Sequence, residues 1–140
     1  MKNKHWTTKA GYKAHVVFVN DSHYCGYVEV PKDHPAHGLN YYTYGLDVED
    51  ITSDIISKLE VIKSINNISV HGGLTFSNSS IYGVDTEKDS WVFGFDAAHC
   101  GDARYVEGTL HHDVGDCVFR DIEYMADECE DLAAKLKEIR

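Results

Sequence analysis

The chain has 140 residues, 43% of them hydrophobic, and carries 13 basic against 23 acidic side chains for a net charge of −10. A chain of this length buries roughly two-thirds of its unfolded surface around one core, so a single domain over residues 1–140 is expected. The charge repels a phosphate backbone and provides no cationic stripe, which excludes binding to bulk DNA or RNA. The N-terminal stretch MKNKHWTTKAGYK has no apolar core of a leader, and no apolar run approaches the ~20 residues of a membrane span, so a cytoplasmic protein without a membrane partner is expected. Cys25, Cys100, Cys117 and Cys129 form neither a CxxC pair nor a spaced metal quartet, and are expected as free thiols.

Ala14 to Val19 and Tyr24 to Val30 are β-rich runs separated by the turn formers Asn20, Asp21 and Ser22, a hairpin that Pro31 ends. Lys32 to Gly45 has turn residues and tyrosines without a sustained period and reads as a long surface loop. In it His34 and His37 read as loop residues, and Tyr41, Tyr42 and Tyr44 as rings able to stack on a base or sugar. Asp47 then reads as an N-cap to a helix whose apolar stripe is Val48, Ile51, Ile55, Leu59 and Ile62. A second stripe, Val118, Ile122, Met125, Cys129, Leu132, Leu136 and Ile139, predicts a C-terminal helix with one core face.

Between the helices lie SVHGGLTFS, Ser69 to Ser77, and WVFGFDAAHCGD, Trp91 to Asp102, a second hairpin. Pairing Ser77 with Ser90 places Leu74, Phe76, Trp91, Phe93 and Phe95 on one face and His71, Gly73, Thr75, Val92, Gly94 and Asp96 on the other. In that register His71 lies across from Asp96 at ~5 Å between β-carbons, and Gly73 faces Gly94 to make a low floor where a ligand approaches the backbone. The turn after Asp96 brings His99 and Asp102 to the same edge. The order β-β-α-β-β-α predicts an α+β domain: a mainly antiparallel sheet of two hairpins with two helices on one face.

VHGGLTFS and FGFDAAHCGD, with GYVEVPKDHP upstream and the helix DIEYMADECEDLA, resemble a family of small proteins of phages and prophages in Gram-positive bacteria. The resemblance runs from Tyr12 to the C-terminal helix. The family pattern is VHGGLTYS and GFDCAHAGD, so His71, Asp96, His99 and Asp102 match, whereas Phe76 stands for Tyr and Ala97 and Cys100 stand where the family has Cys and Ala. The resemblance brings no activity with it. It implies a setting, the bacterial host cytoplasm, in which small phage proteins disarm host defences.

His71, oriented by Asp96 and flanked by glycines, is the leading candidate for a ligand-contacting or catalytic side chain. His71, Asp96 and His99 would be the catalytic set of a small hydrolase, with His71 as general base and His99 as acid. A binding protein would use the same three with Gly73, Thr75, Gly94 and Asp102, and would set Lys32 or Arg104 against phosphate. His71, Asp96, His99 and Asp102 are also the nitrogen and oxygen donors of an alternative divalent metal site, though no cofactor is required. Cys100 beside His99 is a weaker thiol candidate. The functional expectation is a phage accessory protein that sequesters a small nucleotide-type immune signal. The alternatives are a His/Asp hydrolase of such a messenger and an acidic protein that inhibits a host defence protein. Enclosing a ligand with 140 residues calls for a homo-oligomer.

Overall fold

The computed structural model describes residues 1–41, 53, 56, 58–112 and 117–140. Among them β1 (Lys4–Thr7), β2 (Lys13–Val19), β3 (His23–Val30), β4 (Phe76–Asn78) and β5 (Trp91–Asp96) form an antiparallel sheet in the order β1-β2-β3-β5-β4. A helix α1 (Leu59–Asn66) precedes β4, a small hairpin of β6 (Arg104–Val106) and β7 (Thr109–His111) follows β5, and α2 (Ile122–Glu138) ends the chain. The fold is α+β, as the sequence pattern predicts.

The first hairpin turns through Asn20 and Asp21, both at positive φ of about 50°, the handedness that a tight turn between right-twisted strands requires. β3 then pairs with β5, Cys25 opposite Asp96 and Val30 opposite Trp91, which joins the two hairpins at the centre of the sheet. Ala14, Val16, Val28, Val30, Phe93 and Phe95 point to one face, where Met125, Cys129, Leu132 and Leu136 of α2 and Ile65 of α1 close the main core. The opposite face is also covered: Cys25, Tyr27, Ile81 and Val92 form a second buried cluster under the segment between β4 and β5. Burial pushes the thiol of Cys25 up to about 11 and that of Cys129 up to about 12, so both are unreactive packing groups.

Several expectations are corrected. Phe76 pairs with Gly94 and Ser77 with Phe93, three residues away from the register expected from the alternation. An odd shift turns β4 over, so Phe76 packs edge-on against Tyr27 in the second cluster rather than beside Phe93. Asp47, Val48, Ile51 and Ile55 lie outside the described residues, as do Tyr42 and Tyr44; in α1 Ile62 and Ile65 are buried while Leu59 is exposed. Val118 is exposed and precedes α2, and Asp121 caps that helix by accepting from the Tyr124 backbone N–H. β1, β6 and β7 were not anticipated.

The loop after β3 is not wholly at the surface. His34 is buried, donates through Nε2 to the Leu136 carbonyl at 2.8 Å and accepts the Ala36 N–H at Nδ1, closing the C-terminal turn of α2. Burial holds its pKa below the ordinary histidine value, and His23 is lowered for the same reason. The unfolded chain takes up these protons near pH ~6.5 while the folded chain does not, so it binds more protons there and stability falls as pH drops. A melting temperature that declines from pH 7 to 5, with a shallower decline in His34→Gln, is the expected result; equal slopes would contradict it.

Candidate functional site

Three segments meet at the Asp96 end of β5. The first is the turn Val70 to Gly73, closed by the Gly73 N–H on the Val70 carbonyl and needing the positive φ of Gly72. The second is the loop from Ala97 to Ala103. The third is the strand-like approach to α2, where Asp102 and Val118 form a parallel bridge and the Ala103 N–H donates to Val118. That bridge sets Arg120 and Tyr124 against the loop.

Asp102 is the hub, its side chain only 1% exposed. Its Oδ2 accepts from His71 Nε2 at 2.8 Å and from the His99 backbone N–H at 3.0 Å, and its Oδ1 accepts from Arg120 Nε at 2.9 Å. Burial would raise this carboxyl, but the donors from His71, Arg120 and His99 outweigh it and hold the pKa below the ordinary aspartate range. Because an ionised carboxylate only accepts, His71 carries its proton on Nε2. Its Nδ1 is then the acceptor for the Tyr124 hydroxyl at 2.8 Å. Burial and the neighbouring Glu128 raise the Tyr124 phenol, so it stays protonated and donates. The Arg120 guanidinium lies 4.9 Å from the Tyr124 ring centroid, a cation–π contact.

Asp96 and His99 form an adjoining pair. Asp96 accepts from Thr75 Oγ1 at 3.0 Å and from the Ala98 N–H, and its Oδ1 stands 3.1 Å from His99 Nε2. That contact is poorly aligned: His99 Nε2 is buried without a hydrogen-bond partner. The His99 ring occupies the space that a Cβ on Gly72 would need, 2.1 Å from it. His23 borders the group, in the field of Asp96, Arg104, Asp102 and His99.

His71, Thr75, Asp96, His99 and Asp102 therefore come together, but with different partners from those expected. His71 pairs with Asp102, not Asp96, because the register change removes the cross-strand contact. Gly94 does not form a ligand floor: Tyr27 fills the space above it, 2.6 Å from where a Cβ would sit. Gly73 is a turn residue at φ +80°. Lys32 lies two residues beyond Val30, past the end of β3 away from Asp96; it lines a cleft with Tyr12, Glu87 and Lys137 instead. The four proposed metal donors are spent in separate pairs, and among the described residues no group of three or more His, Cys, Asp or Glu is placed to hold a metal. Cys100 is exposed in the turn. Arg120 and Tyr124 were missed, since their spacing in the sequence is only that of the first turn of a helix.

Comparison with protein-family models, with curated proteins and with solved structures gives no match. Among the described residues no helix is long and apolar enough to cross a membrane.

Proposed function

We propose that this chain is a phage or prophage accessory protein that sequesters a small anionic, nucleotide-type signal of host immunity at the His71–Arg120 site. One observation carries the reading. On a chain of net charge −10, two guanidinium groups and three imidazoles, Arg104, Arg120, His23, His71 and His99, share one end of the sheet with the carboxylates of Asp96, Asp102 and Glu128. Such a local concentration of cationic and hydrogen-bonding groups on an otherwise acidic chain favours an anion there over the rest of the surface. The Arg120 guanidinium lying over the Tyr124 ring supplies a flat cationic surface for a base or a phosphate.

Sequestration is preferred over cleavage because His71 has both ring nitrogens committed within the protein. The hydrolase reading keeps one specific support, the chain Tyr124 hydroxyl–His71–Asp102, an arrangement that polarises a hydroxyl. In that reading Asp102, rather than Asp96, orients His71. In this reading a second copy of the chain completes the enclosure of the ligand.

Titration with a panel of cyclic dinucleotides, cyclic oligonucleotides and cyclic ADP-ribose isomers tests the proposal. Arg120→Ala is expected to weaken the bound member by about 10- to 100-fold, the loss of one charged hydrogen bond. Equal affinity with a folded variant would remove Arg120 from the site and with it the reading.

A further inference from the structure

A second group of imidazoles lies on the β1–β2 side of the sheet, away from Asp96. His5 of β1 and His15 of β2 are directly opposed in the antiparallel register, and their Nδ1 atoms are 2.8 Å apart. His15 is buried, and its Nε2 is 2.6 Å from Glu29 Oε2, also buried. Glu29 is itself fixed, its Oε1 accepting from the Glu87 N–H and the Ser90 hydroxyl, each at 2.8 Å. An ionised Glu29 accepts the hydrogen bond from His15 Nε2–H, so His15 presents a lone pair at Nδ1, and the His5 Nδ1–H donates to it.

A carboxylate behind an imidazole, directing the lone pair of the other nitrogen outward, is the support that metal-ligating histidines have. The spacing adds geometry. Two nitrogens each ~2.0 Å from an ion and at right angles to one another are about 2.8 Å apart, whereas tetrahedral ligands stand about 3.3 Å apart. The opposed pair therefore matches two neighbouring positions of square-planar or octahedral coordination. Space for the remaining ligands is present: cavities of about 240 and 250 Å³ flank the pair, both lined by His5, His15 and Asp85. Asp85 adds negative charge beside them, and Lys13, which lines the smaller cavity, is held in an ion pair with Glu87.

We propose that His5 and His15 form a two-nitrogen chelate for a divalent late-transition-metal ion of the Ni²⁺ or Cu²⁺ class, with water in the other positions. On binding, the His5 proton moves from Nδ1 to its Nε2 and both Nδ1 lone pairs turn to the ion. Glu29 is the positioning residue. The site is separate from the His71 cluster and stands or falls independently of the ligand proposed there.

Ni²⁺ alone is the probe, because it does not oxidise thiols, and the protein is purified without a polyhistidine tag and in a Cys100→Ser background to remove the exposed thiol. Calorimetric titration is expected to show one equivalent bound. His5→Ala removes one donor at an exposed position and should weaken binding at least tenfold, while His111→Ala, at an exposed histidine of β7, should leave it unchanged. In NMR spectra the paramagnetic ion should broaden the His5 and His15 ring signals before any other histidine. No saturable binding, affinity unaltered by His5→Ala, or broadening centred on another histidine would overturn the proposal.

Discussion

Asp102→Asn should destabilise the protein by about 3–5 kcal/mol, the range for removing one partner of a buried, hydrogen-bonded ion pair. The carboxylate accepts three donors from His71, Arg120 and the His99 backbone while almost fully buried. An amide of the same shape keeps one acceptor and turns an NH₂ toward either Arg120 or the His71–His99 side, leaving donor against donor. Urea denaturation at pH 7 measures the loss, and a change below about 1 kcal/mol would show that Asp102 is not the hub. The pH dependence checks the same point independently. With its folded pKa below the ordinary value, Asp102 contributes stability that is fully present above the unfolded pKa and is lost as pH falls through the folded one. The variant should lack that part of the acid-induced loss.

Phe93→Ala should cost about 3–5 kcal/mol. Phe93 is 0% exposed on the central strand β5 and packs in the core closed by α2. The denaturation midpoint should move with little change in slope. A double-mutant cycle adds the register test: Phe76 should couple to Tyr27, whose ring centroid is 5.2 Å away, and be additive with Phe93 across the sheet. Coupling between Phe76 and Phe93 would restore the register expected from the alternation of apolar residues.

That register shows where reading the sequence succeeds and where it stops. Trp91, Phe93 and Phe95 alternate with Val92 and Gly94, and the alternation correctly assigns Phe93 and Phe95 to the helix-covered face. It fails for Phe76 because both faces of the sheet are covered: Tyr27, Ile81 and Val92 make a second apolar surface, so an apolar residue no longer reports which side it faces. The stripe Met125, Cys129, Leu132 and Leu136 was legible because α2 has only one buried face. β1 was hidden by length and by Lys4 and His5, whereas its anchoring comes from a distant residue, Glu130, which accepts from Trp6 Nε1. For β6 and β7 a signal was present: Glu107-Gly108, both at positive φ, is a two-residue hairpin turn.

In the site, the turn chemistry of HGG and HCGD located the right neighbourhood. The choice of Asp102 over Asp96 as partner of His71 depends on the bridge between Asp102 and Val118, a pairing between segments that no local period announces. Arg120 and Tyr124 enter through the same bridge. Their residue types are ordinary for a helix start, and only the third dimension makes them part of the cluster.

The most direct test of the proposed function is recovery of the ligand itself. The protein is incubated with the panel of cyclic nucleotide messengers, freed of unbound material, denatured, and the released compound identified by mass. Sequestration predicts one messenger returned intact in a fixed ratio to protein, with recovery lost in Arg120→Ala. Product released over many turnovers, and abolished in His71→Ala, would contradict sequestration in favour of the hydrolase reading. No compound retained and none consumed would contradict both and leave the acidic surface, directed at a host protein, as the functional face.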